Sequence, residues 1–110
     1  MTINISPAHS FIVDGVTTNV YHANKREGIP FHSHRHDHTT TCMAGSCVLR
    51  KRDKELVVNK FSQPVNLIAP AEHEIEALED GTVFANTFGA LVTGPNDPNY
   101  KAVEAVEEIR

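Results

Sequence analysis

Four of the chain's seven histidines fall within seven residues, in the run Phe31-His32-Ser33-His34-Arg35-His36-Asp37-His38, and a fifth, His73, stands alone later. Imidazole is the commonest side-chain ligand for a borderline divalent metal, because its neutral nitrogen binds without bringing a charge. The spacing of His32 and His34 adds geometry to the count. In a strand, residues i and i+2 face the same way, roughly 6–7 Å apart along the backbone. Two imidazoles so placed can reach one ion at about 2.0–2.1 Å. The pattern points to a metal site carried on β-structure.

The elements that must position these side chains are short and β-rich, separated by turn signals. Phe11 to Val13 precedes Asp14-Gly15, and Val16 to His22 follows it. Glu27-Gly28-Ile29-Pro30 leads into the histidine run. Thr39 to Cys42 and Cys47 to Arg50 read as a hairpin around Gly45, with Leu56 to Val58 after the next turn. Val65 to Ile68 ends at Pro70, His73 to Leu78 alternates, and Thr82 to Phe88 follows Gly81. Roughly eight short strands suggest a closed barrel or sandwich. The tail differs: Gly94 to Pro98 is a loop and helix-start signal, and Val103, Val106 and Ile109 recur at helical spacing. The expectation is one domain over 1–110, with a barrel core over about 11–90 and a short amphipathic helix over about 98–110.

At 110 residues the chain is long enough for one hydrophobic core. A formal charge of −4 gives no electrostatic case for nucleic acid or a membrane surface. No apolar run approaches the ~18 residues of a membrane span. The segment Met1 to Pro7 lacks the positive and long apolar regions of a signal peptide, so a cytoplasmic protein is expected. In a reducing compartment Cys42 and Cys47 are expected as thiols, although a hairpin would allow a disulfide. The basic stretch Arg50 to Lys54 reads as a solvated hairpin tip, and His9 and His22 as ordinary surface or partly buried residues.

From Gly28 to Gly45 the chain resembles the cupin superfamily, whose first motif runs H-x-H, a short gap, Glu, a longer gap and Gly. His32-Ser33-His34 supplies the H-x-H; three residues later the Glu position falls on His38, and six more residues lead to Gly45. The second motif is looser. Pro70 stands either at its proline, with two residues deleted before His73, or at a glycine position with Ile68 as the proline, and Ala77 stands where Asn is usual. His73, Ile75 and Ala77 would share one face of that strand, with Glu74 and Glu76 on the other. The resemblance implies an all-β double-stranded β-helix, the cupin jelly-roll barrel, closed at one end by the C-terminal helix. It implies one divalent transition metal (Mn, Fe, Ni, Cu, Co or Zn) on His32, His34, His38 and His73, and a homodimer. The motif places His36 in an inter-strand loop, at the rim of the site, whereas strict strand alternation would set it beside His34.

Histidine at the Glu position matters chemically. Four neutral imidazoles leave the ion its full double charge, making a stronger Lewis acid that favours anionic ligands such as enolates or carboxylates. The leading reading is a mononuclear metal-dependent oxygenase, similar to cupin dioxygenases, acting on a small organic substrate, anionic or enolisable. Phe31, Phe84 and Phe88 are candidates to line its pocket; Tyr21 and Tyr100 read as structural. The alternatives are a non-catalytic metallocupin that binds or senses a small molecule and an oxygen-independent isomerase or lyase. The partner in each case is a small molecule.

Overall fold

The computed structural model describes residues 2–33, 37–68 and 72–88. The expected C-terminal helix over 98–110, with Tyr100, lies outside them, as do His34, His36 and Pro70. The described residues form ten strands in two five-stranded sheets.

In the first sheet the order is β1 (Ile3–Asn4), β4 (Glu27–His32), β9 (His73–Ala77), β6 (Ser46–Arg50) and β7 (Glu55–Asn59). In the second it is β2 (His9–Val13), β3 (Val16–Ala23), β10 (Thr82–Phe88), β5 (His38–Ala44) and β8 (Val65–Leu67). All pairings are antiparallel except β1 on β4. Apart from β1, each strand matches an expected segment to within a few residues. β1, only two residues long, has no alternation for a sequence pattern to show.

Period-two alternation fills the space between the sheets. On β9, His73, Ile75 and Ala77 are buried to 1% or less, while Glu74 and Glu76 take the opposite face and meet Arg50. Leu49, Leu67, Phe84, Tyr21, Cys42 and Cys47 complete the core with Ile75 and Ala77. Asp14 and Gly15, both at positive φ, close the tight β2–β3 hairpin in which Val13 pairs with Val16.

Two glycines set close approaches. At Gly28 on β4, any Cβ would collide with the Ile75 carbonyl oxygen of β9, so only glycine lets these strands pair. At Gly45 the backbone has φ +70°, and a Cβ would collide with the buried Thr82 side chain.

Gly45 corrects one expectation. β5 and β6 do not form a hairpin around it; they lie in different sheets, and the chain crosses between the sheets there. Alternation alone looks the same for strands that pair and for strands that part at a corner. Cys42 and Cys47 are free thiols buried in the core, and burial raises the pKa of both. They therefore stay protonated at neutral pH and pack as small apolar groups.

Candidate metal centre

Three of the four candidate ligands are among the described residues, and the fold brings them to one end of the space between the sheets. His32 is the last residue of β4 and His73 the first of β9, and they are cross-strand partners in the first sheet. His38 opens β5 in the second sheet, opposite Leu67 of β8. β4 ends at His32; His34, expected to share its face, lies outside the described residues.

The closest approach joins the two sheets. His38 Nε2 and His73 Nε2 are 3.2 Å apart, and the two side chains are only 2% and 1% exposed. The His32 ring meets the His73 ring edge-on, centroids 4.6 Å apart. Among the described residues no group of three His, Cys, Asp or Glu side chains is arranged to hold an ion, so the pair His38–His73 is the part of the site they define.

Hydrogen bonds orient two of these imidazoles. His32 Nδ1 lies 2.8 Å from the Pro30 carbonyl oxygen, which can only accept, so Nδ1 carries the proton and Nε2 keeps a lone pair. His38 Nδ1 lies 3.2 Å from Thr40 Oγ1, on the same face of β5. Thr40 Oγ1 in turn lies 2.7 Å from Asn86 Oδ1 on β10. The phenyl ring of Phe88 stands 5.1 Å from the His38 ring, on the second sheet.

This donor set suits a transition metal. Neighbouring ligand atoms each about 2.0–2.1 Å from one ion lie roughly 3 Å apart, which matches the 3.2 Å between His38 and His73.

Of the pocket phenylalanines, Phe88 alone adjoins the described histidines. Phe84 is fully buried and stacked on Tyr21, centroids 4.8 Å apart, where it serves the core, as Tyr21 does. Phe31 turns outward, 41% exposed, beneath the Arg52 guanidinium. His9 and His22 are exposed and edge-to-face, 5.5 Å apart on the paired strands β2 and β3. Within the basic stretch, Arg52 is solvated as expected and pairs with Glu72, but Arg50 is an exception: it binds Glu55, Glu74 and Glu76 across the first sheet. Thr40 and Asn86 went unread in the sequence. Thr40 carries a signal, sitting two residues from His38 on a strand; Asn86 carries none, because only the β5–β10 register brings it there.

No family model matches the sequence, and no curated protein matches it. Solved structures do. A cupin-2 domain containing protein from Shewanella frigidimarina superposes with a TM-score of 0.63 at 15% identity, over 78% of this chain and 82% of that one. A protein from Neisseria meningitidis superposes at 0.62 and 11% identity, over 79% and 85%. A Klebsiella pneumoniae protein with a double-stranded β-helix domain gives 0.62 and 14%, over 77% and 73%. At these identities the likeness is one of fold.

Proposed function

This chain has the double-stranded β-helix fold of the cupin superfamily, and from that premise we propose that it is a metal-dependent oxygenase acting on a small organic substrate, anionic or enolisable. One observation carries the reading: two buried imidazoles from opposite sheets bring their Nε2 atoms to 3.2 Å. The residues that would hold the ion are His32, His34, His38 and His73. A divalent transition ion on four neutral imidazoles would supply an undiminished double charge and, for a redox-active metal, electron-transfer capacity.

The chain's own residues supply the rest. His32 and His38 each set Nδ1 against an oxygen atom, of the Pro30 carbonyl and of the Thr40 hydroxyl, which leaves Nε2 as the atom that would meet an ion. Phe88 gives the His38 side of the site an apolar wall, which excludes water and strengthens attraction between the site and an anion. Tyr21, Cys42 and Cys47 are all held protonated by burial, so none of them is a base at neutral pH. A reaction centred on the histidine cluster needs no separate acid–base pair.

The test starts with the metal content of protein expressed without a tag and never exposed to a nickel column. Oxygen uptake is then followed with iron- or manganese-loaded protein and a panel of enolisable acids. Substrate-dependent oxygen consumption supports the proposal. Steady ligand affinity with no turnover under any metal makes the protein a binding or sensing module, and turnover without oxygen makes it an isomerase or lyase. Protein that takes up no metal overturns the metal site itself.

A further inference from the structure

The bond lengths around Thr40 decide where a proton sits. A threonine hydroxyl has one hydrogen and can accept further bonds. Thr40 Oγ1 has two polar neighbours on its side chain: Asn86 Oδ1 at 2.7 Å and His38 Nδ1 at 3.2 Å. The shorter distance is the usual length of an O–H···O bond, and the longer one lies within the N–H···O range. The hydroxyl proton is therefore committed to Asn86, and Thr40 can only accept from His38. All three residues are at most 3% exposed, so the chain lies in the interior.

We infer that Thr40 and Asn86 are positioning residues: acting in series, they hold the His38 imidazole in its Nδ1–H form and so turn the Nε2 lone pair toward His73. The inference deepens the metal-site reading and rests on it for its purpose, although the proton assignment stands or falls by itself. The same tautomer is set at His32 by a backbone carbonyl, which no substitution removes. At His38 it is set by side chains, and the control runs through Asn86, a residue that does not touch the ring in the hydrogen-bond chain. Removing the Asn86 acceptor frees the Thr40 hydroxyl to donate to Nδ1, which moves the ring proton to Nε2 and blocks the ligating lone pair. A merely structural Thr40–Asn86 pair would leave the ring proton where it is.

The experiment reads the proton directly. Long-range 1H–15N spectra of the metal-free wild-type protein, at a pH where the rings are neutral, should show His38 with Nδ1 protonated and Nε2 bare. Asn86→Leu should shift His38 toward the Nε2–H form and weaken Zn2+ binding by about 10–100-fold, measured by competition with a chromophoric chelator. Thr40→Ser keeps the hydroxyl and should match wild type in both readings. A wild-type His38 protonated at Nε2 overturns the inference without any variant being made. A folded Asn86→Leu protein with unchanged tautomer and unchanged zinc affinity overturns it too. If the tautomer behaves as stated while wild type takes up no Zn2+, the metal reading fails and the proton assignment survives.

Discussion

The proposed chemistry is tested first at His38, because the cupin-like pattern has glutamate at its position. His38→Glu lowers the charge of the site by one while leaving the other candidate ligands in place. Carboxylate oxygen reaches a metal at about 2.0–2.2 Å, so the ion should be retained. Azide or small carboxylates should then bind more weakly at matched metal loading, since the positive charge is partly neutralised. Equal or tighter anion binding would mean that His38 does not ligate, or that access rather than charge controls the open positions. His73 tests the site from the opposite sheet. His73→Ala should lower metal content as much as His34→Ala, whereas His36→Ala should leave it nearly unchanged. The opposite pattern, with His36 essential and His73 dispensable, would make the cluster a loop chelate. The clustering of candidate imidazoles was legible at this scale, since residue identity and spacing carry it; Gly45 reads as the tip of a hairpin, whereas the chain crosses between the sheets there. The tautomers were not legible, because they depend on atoms brought in by other strands.

At the scale of elements, β4 and β9 hold two candidate ligands as cross-strand partners, and Gly28 is what lets them come together. Gly28→Ala should destabilise the protein by about 2 kcal/mol or more, because its Cβ meets the fixed backbone of Ile75 rather than a side chain that can move. Urea unfolding measures the loss. A cost near zero would mean that the two strands can part without consequence. The outer face of the same sheet is tied by Arg50 to Glu55, Glu74 and Glu76. Burial pushes the Glu76 carboxyl up, but the Arg50 guanidinium and the Thr2 hydroxyl outweigh it and hold the pKa below the ordinary 4.5. A group depressed in the folded state lends stability that is complete above its unfolded value and is lost as pH falls through the folded one. Urea midpoints should therefore drop below about pH 4.5, with Glu76→Gln less stable at neutral pH and flatter in acid. An unchanged acid slope in the variant would remove Glu76 from the network that matters.

For the whole molecule, the two sheets present different exteriors. The first carries the Arg50 network, a charged and partly buried face. The second ends in β2, an edge strand with all five residues exposed and no Lys, Arg, Asp, Glu or Pro to guard it. Phe11, Ile12 and Val13 on it are 49%, 69% and 60% exposed. Together with the sequence resemblance, this leads to the expectation of a homodimer joined through β2. Sedimentation equilibrium should give twice the chain mass, and Ile12→Lys should shift it toward the monomer. A wild-type monomer at high concentration would remove the claim. Among the described residues there is no helix, and so none long and apolar enough to cross a membrane.

By itself the sequence determined what short-range rules govern. It set the strand segments, through alternation, and the face of β9 that carries His73. It also supplied the imidazole-rich set of candidate ligands and the glycine at position 45, where the backbone takes φ +70°. Tertiary structure decided the rest. His38 and His73 meet across 35 residues and Thr40 and Asn86 across 46, separations at which inter-strand register, not local pattern, fixes who touches whom. For the same reason β5 and β6 look like a hairpin in sequence yet part into two sheets at Gly45. Arg50 likewise looks like one more charge on a solvated tip until β9 is laid beside β6. A strand's own residues specify its inward face; which strand lies across from that face depends on the packing of the whole chain.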